Sequence, residues 1–217
     1  MIQRLPFLAL VLAFAALLAP ASAARAADAP VEGVHYAAIP GGRPLQAEPG
    51  KVEVVEVFAY WCRFCAEFEP KLAAWQRRQP DHVAFRYLPA AFTREDNHAR
   101  AYFAAESLGA LDRTHAATFR AVHVEQSLPA RGASVDEIAA FHAGLGLDRA
   151  QVAAAMRSPQ TDARMDAARA FAVATGVRGT PSLVVNGRYR VLGNSFEELL
   201  RNTDLLVAHE RAALSRP

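Results

Sequence analysis

"FAYWCRFCAEFEP", residues Phe58 to Pro70, contains both cysteines of a 217-residue chain, Cys62 and Cys65, with Arg63 and Phe64 between them. Two cysteines at this spacing can be a structural staple, part of a metal clip or a reactive pair. A staple closing so short a loop gains only about 2 kcal/mol by chain entropy, and a chain of this length buries enough apolar surface to fold without one. Structural zinc usually takes four ligands. A second cysteine pair is absent, and the seven histidines (His35, His82, His98, His115, His123, His142, His209) are scattered, reading as surface or packed residues.

The flanking sequence favours reactivity. Upstream, "KVEVVEVFAY" (Lys51 to Tyr60) is a nearly continuous apolar, β-branched run, the pattern of a buried central strand. Downstream, Cys65, Phe68 or Glu69, Leu72, and Trp75 or Gln76 recur at helical spacing. The pair therefore sits where a strand gives way to the first turn of a helix. Free amide groups and the helix dipole favour an anion there, which points to a lowered pKa for the first cysteine, Cys62. Cys65, one turn further in, is expected to be more buried and less reactive. Arg63 adds a positive side chain next door, the alternative being that it points into solvent.

The chain opens "MIQRLPFLALVLAFAALLAPASAARAADAP". Arg4, the apolar run Leu5 to Leu18 and the small residues after Pro20 read as a secretory signal peptide over residues 1–26, with cleavage after Ala23 or Ala26. The run falls short of the roughly 20 apolar residues that a spanning helix needs. Cutting after Ala26 removes Arg4 and Arg25 and leaves basic and acidic side chains equal in number at 22 each. Zero net charge gives no case for nucleic acid or an anionic membrane surface. Export places the cysteines in an oxidising compartment, where the paired state is the resting one.

A second segment, "GVRGTPSLVVNGRYRVLG" (Gly176 to Gly193), reads as two strands, Ser182 to Val185 and Arg188 to Leu192, joined by the hairpin signal Asn186-Gly187. Thr180-Pro181 stands before the first strand, where local rules favour a trans peptide and the missing N–H costs nothing. Residues 93 to 175, between the halves, are patterned as helices: Thr93 to Leu108, Asp112 to Val124, one opened by the capping box Ser134-Val135-Asp136-Glu137, one from Asp148, and one from Ser158-Pro159 to Thr175. Met165, Ala168, Phe171 and Ala172 share a face of the last, as core residues. Another capping box, Ser195 to Glu198, opens the C-terminal helix.

With "VEVFAYWCRFC" and "VRGTPSLVVNGRY" joined by a helical insert, the sequence resembles the DsbA family of periplasmic thiol:disulfide oxidoreductases from about Tyr36 to about Val207. The resemblance implies an α/β thioredoxin-like fold with an inserted all-helical domain: residues 27–92 and 176–217 as the thioredoxin-like domain and 93–175 as the insert. It implies a dithiol oxidase that donates a Cys62–Cys65 disulfide to unfolded exported proteins with free thiols. It needs no cofactor or metal beyond that disulfide, and acts as a monomer in the periplasm, re-oxidised by a quinone-linked membrane partner of the DsbB type.

It further implies that Cys62 is the exposed nucleophile and Cys65 its buried partner, that Pro181 is cis and faces the pair, and that the Thr180 backbone pairs with substrate. Glu56 falls where the family keeps a buried acid, the alternative being a strand-edge carboxylate facing solvent. Trp61 and Phe64 are expected on an apolar substrate-binding surface, and Phe92 in the core. The best-known member has Pro-His between its cysteines; Arg63-Phe64 here is a departure expected to tune the redox strength, since Phe64 cannot donate a hydrogen bond. A reductase or isomerase, and a binding or holdase module with a structural disulfide, are the alternative functions.

Overall fold

The computed structural model describes residues 29–214; the expected signal peptide lies outside them. Their elements run β1 (Tyr36–Ala38), β2 (Val52–Phe58), α1 (Arg63–Gln76), β3 (Val83–Pro89), α2 (Asn97–Ser107), α3 (Leu111–His123), α4 (Val135–Gly144), α5 (Arg149–Met156), α6 (Pro159–Ala174), β4 (Ser182–Val185), β5 (Tyr189–Val191) and α7 (Phe196–Leu214). The sheet order is β1-β5-β4-β2-β3. β2 pairs in parallel with β3 across α1 and antiparallel with β4. This is the thioredoxin-like arrangement, with helices α2 to α6 inserted between β3 and β4.

Every residue of β2 is buried, which explains its continuous apolar run. Val52 and Val54 face Phe68, Leu72 and Trp75 of α1 and Leu206 of α7. Val55 and Val57 face the opposite core, with Met165, Ala168 and Phe171 of α6. By the two-residue alternation of a strand, Glu56 lies on the α1 side. A third core, around Ile138, Val152 and Met156, belongs to the helical insert. Pro70 lies inside α1 and cannot donate to the Ala66 carbonyl one turn back.

Helix starts follow the cap chemistry. Ser134 and Glu137 form the full capping box, and Asp148 and Ser158 cap α5 and α6. Two helix caps differ from the expected pattern. α2 begins at Asn97 rather than Thr93, because the Asp96 carboxylate takes the Ala99 N–H (3.1 Å) and sets the N-cap there. At α7 the Ser195 hydroxyl takes the Glu198 N–H (3.1 Å), but the Glu198 carboxylate accepts from Asn194 N–H (2.7 Å), one residue before the position a capping box would use.

At the far end of β2 from the cysteines, Asn186 and Gly187 make the β4–β5 turn with φ of 46° and 64°. The Asn186 side chain accepts the Glu53 N–H (2.7 Å) while its own N–H donates to the Glu53 carbonyl (2.8 Å), which ties the turn to β2. A Cβ on Gly187 would sit 1.8 Å from the Arg43 carbonyl oxygen, so the preceding loop also depends on this glycine. Gly187→Ala therefore combines a left-handed alanine with a backbone clash. It is expected to cost at least about 2 kcal/mol of unfolding free energy, read as a lowered urea midpoint at unchanged slope.

Candidate active site

The sulfur of Cys62 is the N-cap of α1: the residue is extended (φ −83°, ψ 114°) and its Sγ accepts the Cys65 N–H at 3.2 Å. The thiol also lies 3.2 Å from the Thr180 carbonyl, toward which it donates. The Thr180–Pro181 peptide is cis, as the family resemblance implied and against the local expectation of trans. Both cysteines are free thiols. Cys65 is fully buried, and Cys62 is itself only 7% exposed. Cys62 is thus less open than expected of an exposed nucleophile, because the Thr180–Pro181 segment and the α1 turn close over it.

This placement separates the two thiols. The hydrogen bond from Cys65 lowers the Cys62 pKa to about 6 against an opposing desolvation, with further help from the Thr180 side chain and the Cys65 and Phe64 N–H groups. Burial pushes the Cys65 thiol far above the ordinary range, reinforced by Cys62 and Glu56. Arg63 is turned outward. Its side chain is 82% exposed and pairs with Glu67 at 2.8 Å, along the outside of α1.

Glu56 is buried on the α1 side of β2 rather than facing solvent. Desolvation holds its carboxyl well above the usual range, and the neighbouring Glu69 and Cys62 push the same way. Glu53, also buried and three positions earlier on the strand, is treated differently. Its carboxylate accepts the Leu45 and Gln46 N–H groups at 2.7 Å each and lies 3.3 Å from Arg86. One glutamate is held by two backbone N–H groups with a guanidinium nearby, and burial makes the charged form of the other costly.

Around the mouth, Phe64 is 61% exposed and Trp61 is half-buried. The indole donates to Asp96 (2.9 Å), the N-cap residue of α2, and Arg131 stacks over its ring at 4.4 Å. Phe92, expected in the core, is 39% exposed and 6.4 Å from Trp61, because the chain turns outward at Ala91 (φ 46°). Trp61, Phe92, Asp96, His98 and Arg131 line a cleft of about 400 Å³ beside Cys62. Among the described residues no cluster of three or more His, Cys, Asp and Glu is placed to hold a metal ion, and no helix is long and apolar enough to cross a membrane.

A family model of the DSBA-like thioredoxin domain matches residues 53–203. The chain belongs to this family. The thiol:disulfide interchange protein DsbA of Azotobacter vinelandii is 37% identical over 185 residues, covering 83% of this chain and 85% of that protein. The crystal structure of oxidoreductase DsbA from Xylella fastidiosa superposes with a TM-score of 0.82 at 47% identity, over 84% of this chain and 98% of its own. A Proteus mirabilis DsbA variant solved with a non-covalently bound peptide shares the fold, at a TM-score of 0.67 and 21% identity, over 84% and 98% of the two chains.

The structure brings Cys62, Cys65, Thr180, Pro181 and Glu56 together at one end of β2 in this family member, and leaves Arg63 turned away. It also places groups at the site that sequence patterning did not single out. Asp96 and Arg131 hold Trp61. Tyr60, Glu69, Tyr87, His115 and His123 form a partly buried polar group behind the cysteines: Tyr87 donates to Glu69 (3.3 Å), and His123 Nε2 lies 2.7 Å from the Tyr60 carbonyl. The only available signal was the eight-residue spacing of His115 and His123, which puts both on one face of α3.

The reduced protein should show one thiolate titration, by absorbance or by rate of alkylation, with a midpoint near pH 6 that disappears in Cys62→Ala. Because the folded-state pKa lies below that of an unfolded thiol, this thiolate stabilises the reduced protein above the ordinary thiol range. The contribution fades as pH falls and is gone once pH drops through about 6. The difference in unfolding midpoint between reduced wild type and reduced Cys62→Ala should narrow accordingly.

Proposed function

We propose that the chain is a dithiol oxidase that donates its Cys62–Cys65 disulfide to folding exported proteins. The asymmetry of the two thiols carries this reading: one is anchored as a thiolate on a helix N-terminus beside a cis-proline segment, the other is sealed and protonated. A disulfide whose reduced form is stabilised in this way is a strong oxidant. The protein family consists of thiol:disulfide oxidoreductases, in keeping with the names of the relatives.

In the cycle, a substrate thiolate attacks Cys62 Sγ, the Cys62–Cys65 bond breaks, and its electron pair leaves on Cys65. The neutral carboxyl of Glu56 stands close enough to influence Cys65 and supplies the proton that quenches it. A second substrate thiolate attacks the substrate sulfur of the mixed disulfide and expels Cys62 as its stabilised thiolate. The substrate loses two electrons and the cysteine pair gains them; no organic cofactor or metal takes part. Thr180 and Pro181 hold an extended substrate segment by strand addition, and Trp61 and Phe64, with the outward-turned Phe92, give it an apolar surface.

Residues 93–175 act as the inserted helical domain over that surface, between the thioredoxin-like halves 27–92 and 176–217. The protein works as a monomer in the periplasm, after cleavage of the leader, and a quinone-linked membrane partner of the DsbB type accepts the two electrons. With Cys65→Ala, incubation with reduced, unfolded protein should accumulate mixed disulfides through Cys62. A variant that is folded but traps nothing would falsify the oxidase reading in favour of a structural disulfide.

A further inference from the structure

His115 is 6% exposed, deep between α3 and the sheet. Its ring stands edge-on to Phe58 (5.0 Å) and Phe119 (5.3 Å) and tilts against Tyr87 (4.2 Å). Nδ1 lies 2.9 Å from the Tyr60 hydroxyl. Nε2 lies 3.4 Å from Glu69 Oε2, and these two facing atoms are both buried and otherwise without a hydrogen-bond partner. A phenol that donates to Nδ1 leaves the imidazole proton on Nε2, the ring nitrogen nearest that carboxylate. The titratable groups against the ring are Glu69 from α1, Tyr60 from the segment after β2, Tyr87 from β3 and Tyr102 from α2. α3 itself adds the buried Thr114 and Thr118. Glu69 is the acid in contact.

Tyr60 lies two residues before Cys62, and Glu69 four after Cys65, so one imidazole spans the segment that carries the pair. We propose that His115 is a positioning residue for the redox centre: it fixes the Cys62 segment through Tyr60 and holds a proton against Glu69, keeping that carboxylate's field off Glu56 and the cysteines. Negative charge at Glu69 raises Glu56, and negative charge nearby likewise raises Cys65, so an uncompensated Glu69 works against a thiolate at the pair. Offsetting it at Glu69 favours the Cys62 thiolate, and a more stable reduced form is a stronger oxidant. A cleft of about 410 Å³ between α1 and α3 is lined by Glu69, Phe119 and His123 but not by His115.

The inference rests on Cys62–Cys65 being the redox pair, and the test keeps the two apart. Wild type, His115→Phe, His115→Gln, Glu69→Gln and the double variant His115→Phe/Glu69→Gln are equilibrated with glutathione buffers, and Cys62 is titrated in each. Phenylalanine keeps the aromatic packing and removes both ring nitrogens. His115→Phe should shift the equilibrium about tenfold toward the disulfide, equivalent to about 30 mV for this two-electron couple, and raise the Cys62 midpoint. Glu69→Gln should shift it the opposite way and abolish the effect of the His115 change, while His115→Gln, whose amide can donate to Glu69, should recover much of it.

A tenfold shift that persists in the Glu69→Gln background, or a folded His115→Phe with the wild-type equilibrium, overturns the proposal. Should His115→Phe fail to fold, an unchanged equilibrium in Glu69→Gln overturns it equally. A wild type that is itself a weak oxidant counts against the oxidase reading, whatever the variants do.

Discussion

The first turn of α1 must find an acceptor for its free amide groups, and the side chain offered is the sulfur of Cys62 rather than the oxygen of a serine or aspartate. A thiolate fills that role well, as a full negative charge at the positive end of the helix dipole. A disulfide sulfur carries no such charge. Reduction therefore completes the helix cap, and oxidation weakens it. The backbone that places Cys62 at the end of β2 and the segment that brings Thr180 against it both serve this exchange of capping states.

Burial around that sulfur is one-sided in charge. β2 carries two buried glutamates, and of the two Glu53 has the partners: two loop amides, and Arg86, which it shares with Glu48. Glu56 is given none of these, and burial makes its charged form costly. Glu69 adds a second acid near the cysteines, faced by His115 and Tyr87. Arg63, the nearest cation in sequence, is spent on Glu67 at the surface. Adjacency along the chain was a poor guide to electrostatics here, since α1 turns that side chain outward within its first turn.

Much of the architecture was legible where local chemistry decides it. β2 announced itself by its unbroken apolar run, the β4–β5 hairpin by Asn186-Gly187, and α4, α5 and α6 by their capping residues. β1 and β3 were not, because β1 has three residues and β3 carries half-exposed positions and Arg86 among its apolar ones. The site was legible as far as two motifs could carry it: Cys62, Cys65 and the Thr180–Pro181 segment. What escaped is held together only by tertiary contact. His115 is one polar residue on a helical face until folding sets it between Tyr60 and Glu69, and Phe92 reads as core until the positive φ at Ala91 turns it outward.

The indole of Trp61 connects the two parts of the chain in a way that bears on any attempt to shorten it. Its N–H ends on the residue that caps α2, and its upper face is covered by Arg131 from the loop before α4. Excising the helical segment to leave a minimal redox module would strip both supports from the residue next to Cys62. It would also expose the Val55 and Val57 side of the sheet that α6 covers. The helical insert is therefore part of the wall of the redox centre, and a stripped-down version of this protein would need a replacement for that wall before it needed any change to its cysteines.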